Sequence, residues 1–275
     1  MYSLARSRLI LHRRCCCYTL ITRTISSSLD AGTNQSSKQH KKYKPTSLIF
    51  QPRYSGPQLH DMTSEQLELQ QSILKSRPNT GLNGPFGPWL AIPSICNPSQ
   101  ELGRVVRYET SLSKRESELV ILLVGAKFKS ESEFDIHVTE AIRAGINMDV
   151  IESIPRGRLL SEDTSSAVSE EDEFSLENVN NNVIPVLLNE YNDQKLQLQN
   201  SKDRIELDSA KEREIAIILF TAELLHTNTV SDETYTKTKQ VLDGKDSALV
   251  EITSIIGYYA YVAYTLNVFK IPTGR

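Results

Sequence analysis

Residues 110–154 read TSLSKRESELVILLVGAKFKSESEFDIHVTEAIRAGINMDVIESI, and the fold class turns on how that text divides. Two helix starts are written into it. Ser113 is followed three residues later by Glu116, and Ser130 by Glu133. At that spacing a hydroxyl and a carboxyl each satisfy an otherwise orphan backbone amide at a helix N-terminus. Between and beyond these starts the apolar residues recur at helical spacing until Gly145, a residue type that ends helices.

The same signals extend outward. Thr63 with Gln66 and Ser209 with Glu212 repeat the capping spacing, and Gly244 stands where another helix ends. Helical periodicity covers about 61–155 and returns from about 183 to 270, with no alternating stretch of useful length. The predicted fold class is therefore all-α, with a helical domain over 61–272. The text SEDTSSAVSEEDEFSLENVNNN (161–182) is polar, acidic and rich in Asn. It predicts an exposed insertion or linker within about 156–182.

Charge is distributed unevenly. Residues 1–60 hold ten Lys and Arg against one acid, Asp30, a net of +9; the whole chain carries -3, so the remaining 215 residues carry -3 - 9 = -12. A basic head on an acidic body points to targeting rather than nucleic-acid binding. The first 30 residues, MYSLARSRLILHRRCCCYTLITRTISSSLD, are rich in Arg and Ser and hold no acid before Asp30. That is the composition of a mitochondrial transit peptide leading to the matrix. Arg and Ser interrupt every apolar run there, short of the roughly 20 residues that span a bilayer, so no transmembrane segment is expected. Residues 31–60 are a polar, basic, extended lead-in.

Cys15, Cys16 and Cys17 lie in the segment expected to be removed, which leaves Cys96 alone. A single thiol excludes an internal disulfide, a CxxC redox pair and a cysteine zinc site. The chain has no phosphate-binding Gly loop, nucleophile elbow or metal-ligand spacing, so neither a metal nor an organic cofactor is expected.

An internal echo is present at a constant offset of 130. LSKRESELV (112–120) aligns with LDGKDSALV (242–250), and beyond it Phe128 meets Tyr258, Phe134 meets Tyr264 and His137 meets Asn267. Such agreement predicts two related helical halves around one core.

These residues carry a resemblance. The 110–154 text is similar to the carboxymuconolactone decarboxylase-like family. In that family a Ser/Pro-Arg-Glu-x-Glu-Leu helix leads to an aromatic-x-x-His helix and an Ala-Gly-Ile/Leu turn. FTAELLHTNTVSDETY (220–235) and LVEITSIIGYYAYVAYTLNVFKIP (249–272) resemble the family's second half. The resemblance covers roughly 80–155 and 208–272 and implies a helical bundle of two related halves. Alkyl hydroperoxidase D-like members place a CxxC before the histidine and a glutamate in the preceding helix. Here Glu118 and His137 match, while Ser130 and Glu133 stand in the two cysteine positions. Neither side chain performs thiol redox work, so the peroxidase activity that the family implies lacks its chemistry.

What remains is a carboxylate–histidine set. Glu133 and His137 are i and i+4 on one helical face, and Glu118 lies in the preceding helix. A histidine oriented by carboxylates shuttles protons. This points to a cofactor-independent lyase or isomerase on a small carboxylated or lactone substrate, with His137 as acid/base and Glu118 and Glu133 orienting it. The alternative is a scaffold or assembly subunit that keeps the fold without the chemistry. In that reading Glu133 serves only the Ser130 capping box, Glu118 pairs with Lys114 or Arg115, and His137 is satisfied locally.

Further features carry paired readings. The resemblance implies that GLNGPFGPWLAIP (81–93) forms a pocket wall, whereas the residues by themselves read as a Pro-started helix packing Phe86 and Trp89. Tyr258, Tyr259, Tyr261 and Tyr264 crowd one late helix as core, pocket lining or the interface of a homo-oligomer. His226 sits near a helix C-terminus, where the dipole favours a cation.

Overall fold

A computed structural model describes residues 51–77, 81–156 and 173–272. The transit peptide expected for residues 1–30, most of the lead-in and 157–172 of the insertion lie outside the described residues. Among those described there is no strand. The helices are α1 (Ser64–Ser76), α2 (Phe86–Trp89), α3 (Pro93–Tyr108), α4 (Lys114–Lys127), α5 (Glu131–Arg143) and α6 (Met148–Glu152). They continue as α7 (Leu176–Asn178), α8 (Ile184–Gln197), α9 (Ser201–Thr227), α10 (Asp232–Val241) and α11 (Asp246–Phe269).

The centre of the bundle is α4, buried without interruption from Glu116 to Ala126 and packed between α5, α9 and α11. A helix apolar on all sides has no solvent face to keep and belongs in the interior. Its start is the predicted capping box. The Ser113 amide donates to Glu116 Oε2 at 2.7 Å and the Glu116 amide to Ser113 Oγ at 3.1 Å. Arg213 of α9 also donates to Glu116, at 2.7 Å, so one carboxylate both caps a helix and ties it to a neighbour. The Thr63–Gln66 box forms as well. Gly145 takes a positive φ of 86° just after α5, as a helix-ending glycine does.

Two of the predicted starts are different in the structure. Ser130 is the residue before α5, but its side chain caps nothing; it is buried, and its Oγ has no hydrogen-bond partner among the described residues. Ser209 and Glu212 lie inside α9, which begins eight residues earlier on an Asn200 cap, with Leu207 and Ala210 packed against the core. A local cap contributes on the order of 1 kcal/mol, and packing of an apolar face outweighs it at both sites.

The insertion is also shorter than its composition suggests. Residues 176–183 form α7 and a π-helical turn leading into α8, with Phe174, Val179 and Val183 buried. Three apolar residues spaced along a polar run are enough to dock it. The echo holds through one helix only. In the first half the chain turns at Phe128–Ser130, with Lys129 at φ 49°, whereas α11 runs on unbroken through Tyr258 and Tyr264.

Among the described residues α11 alone is long and apolar enough to cross a membrane, and 56% of its apolar window is buried inside the protein. It packs on α3, α4, α5, α9 and α10. Trp89 of α2 pins it by donating Nε1–H to Thr265 Oγ1 at 3.1 Å and by stacking on Tyr261 with ring centroids 4.7 Å apart.

Candidate functional site

The α4–α5 turn folds α5 back along α4. This brings Glu118 and His137 face to face. His137 Nδ1 lies 2.6 Å from Glu118 Oε2, and its Nε2 lies 3.1 Å from Glu133 Oε1. On the far side, Lys114 Nζ lies 2.6 Å from Glu118 Oε1. The resulting order is Lys114, Glu118, His137, Glu133. Lys114 is 41% exposed at one end, while Glu118 and His137 are 0% and 2% exposed in the middle. The three predicted site residues are thus brought together, and Glu133 serves His137 rather than a Ser130 cap.

Burial by itself lowers an imidazole's proton affinity, but the flanking Glu118 and Glu133 carboxylates outweigh it and raise the His137 pKa. Burial likewise works to raise the Glu118 pKa, and the charged His137 and Lys114 overcome it, holding the carboxyl at about 2. Both shifts favour the charged forms of His137 and Glu118. The set lies in a line rather than converging on a point. No cluster of three or more His, Cys, Asp or Glu among the described residues fits a metal ion.

One end of this line opens on a cleft of about 90 Å³. Glu133, His137 and Phe86 of the Pro-started α2 form part of its wall. Tyr259 meets the His137 ring edge to face at 5.1 Å. Two arginines that the sequence reading left aside also line it. Arg77 donates to Gln100 Oε1 at 3.0 Å and to the Gln100 carbonyl at 2.8 Å, with its guanidinium 4.8 Å from the Phe86 ring centroid. Arg107 donates to the Tyr259 hydroxyl at 3.4 Å and stands 3.6 Å from Glu140, while its buried Nε has no hydrogen-bond partner among the described residues. Neither arginine carries a local signal, since each reads as an ordinary polar residue at the end of a helix.

Gly103 is the one residue here that could have been singled out, because an isolated glycine within a helical pattern asks for a packing reason. A Cβ at Gly103 would lie 2.1 Å from the Tyr258 hydroxyl. The late tyrosines therefore divide. Tyr258 and Tyr259 face the cleft, while Tyr261 stacks on Trp89 and Tyr264 meets Phe128 at 4.9 Å. His226 is exposed in the last turn of α9, away from the cleft. Cys96 is buried, and burial pushes its thiol up to about 11, the state of an inert thiol.

No protein-family model matches this chain, and no curated protein matches it closely enough to count as a relative.

Proposed function

We propose that the chain is a cofactor-independent lyase or isomerase of the carboxymuconolactone decarboxylase-like kind, acting on a small carboxylated or lactone substrate in the mitochondrial matrix. The observation that carries this reading is the Glu118–His137–Glu133 line ending at the wall of a cleft. Glu118 on Nδ1 orients the ring and stabilises its charge, so that His137 and Glu133 hand one proton to and from a ligand carbon as a unit. Arg77 and Arg107 put positive charge beside that position, which suits a carboxylate.

The test is hydrogen exchange in D2O followed by NMR, with a β,γ-unsaturated γ-lactone and 3-oxobutanoate as probes. Wild type is expected to exchange or convert a probe, His137→Ala to abolish this, and Glu133→Gln to depress it with the fold intact. Turnover retained in both variants ends the acid/base reading.

A scaffold function remains the second reading, favoured by the burial of Glu133 and His137 and by the small cleft. Self-association belongs to both readings. Leu102, Val105 and Tyr108 along α3 and Tyr264 on α11 are large exposed side chains that a second copy can cover.

A further inference from the structure

The Tyr258 side chain is more than nine-tenths buried and lines the cleft, in the company of Glu133, Arg77 and Arg107. Its ring is fixed edge-on against Trp89 at 6.3 Å and Tyr259 at 5.3 Å. Gly103 supplies the notch in which the hydroxyl sits, because any side chain at that helical position would overlap it. Glycine within a helix costs up to about 1 kcal/mol relative to alanine, and here the space it leaves is filled by a polar atom rather than a methyl group.

We propose that the Tyr258 hydroxyl is a catalytic hydrogen-bond donor that binds the carbonyl oxygen of the substrate and the enolate oxygen formed from it. This rests on the acid/base reading of the same cleft. As the substrate C–H bond breaks, the proton passes to the Glu133–His137 pair and the electron pair delocalises onto the carbonyl oxygen. Tyr258 shortens its hydrogen bond to that oxygen and keeps its own proton. Burial pushes the phenol well above its ordinary range, so it stays a donor throughout.

Two variants and two readouts test this. Tyr258→Phe removes the hydroxyl and keeps the ring; Gly103→Ala fills the notch and keeps the tyrosine. With the γ-lactone and 3-oxobutanoate probes, Tyr258→Phe is expected to lose about 10²- to 10³-fold in kcat, with a small change in KM and an unaltered melting temperature. Calorimetric binding of oxalate, a planar mimic of an enolate, is expected to weaken at least tenfold in both variants. Wild-type kcat in Tyr258→Phe overturns the assignment, and so does oxalate affinity that is absent or equal in wild type and Tyr258→Phe. Tyr258-dependent oxalate binding without any exchange by wild type keeps the oxygen-binding subsite and ends the acid/base reading.

Discussion

His137 Nδ1 lies 2.6 Å from Glu118 Oε2, across the α4–α5 crossing and 19 residues apart in the chain. Neither helix makes this contact alone. It exists because the turn at Phe128–Ser130 reverses the chain, so the pair reports on the tertiary fold as directly as on the chemistry.

Stability should follow the protonation of that pair. The Glu118 pKa is depressed from 4.5 to about 2, so its contribution is complete above about pH 4.5 and is lost as the pH falls toward 2. The His137 pKa is raised above 6.5, so its contribution is complete below that value and is lost as the pH rises through the folded pKa. Melting temperature measured by circular dichroism should be highest between these limits. Glu118→Gln should flatten the acid limb, and an acid limb unchanged in that variant would refute the coupling.

Ser113 and Ser130 occupy the same position in two similar motifs, and their alanine variants should differ. Ser113→Ala removes a formed capping box and should cost about 1 kcal/mol. Ser130→Ala removes a buried hydroxyl without a partner among the described residues and should stay within about 0.5 kcal/mol of wild type, or gain stability. Urea denaturation of both variants checks the contrast.

Cys96 should behave as a core residue. Iodoacetamide at pH 8 should leave it unmodified in the native protein and alkylate it promptly in urea, as mass spectrometry would show. Dithiol-dependent peroxide reduction that disappears in Cys96→Ser would contradict this picture.

Arg115 joins three helices away from the cleft, 2.7 Å from both Glu190 of α8 and Glu214 of α9. Arg115→Ala leaves two largely buried carboxylates without their cation and should cost about 3–5 kcal/mol. Oxalate affinity at low temperature, measured on the fraction that remains folded, should not change.

Residues 1–30 carry five arginines and no acid before Asp30. A fluorescent fusion of that segment should enter mitochondria, and replacing the arginines with glutamates should prevent it. Cytosolic fluorescence from the unaltered fusion rules the targeting out.

Much of the helical architecture was legible because its signals are local. The boxes at Thr63 and Ser113, the stop at Gly145 and the unbroken apolar text of α4 each depend on residues within a turn or two of one another. Glu118, Glu133 and His137 were legible as residue types at a suggestive spacing. Their contact was not, because it depends on the path of the chain between α4 and α5.

Local reasoning failed where a small local preference competed with burial. Ser130 and Glu133 have the spacing of a cap, but α5 packs so that Ser130 is enclosed and Glu133 turns to the imidazole. Ser209 has the same spacing, and the packed residues around it carry the helix straight through. The cleft lies further still from local rules. Arg77, Arg107, Tyr258 and Glu133 come from four separate parts of the chain, and no short window of sequence holds a trace of their meeting. Helix formation is decided by neighbours a few residues apart, whereas a site is decided by which helix faces coincide, and that is a property of the packed core alone.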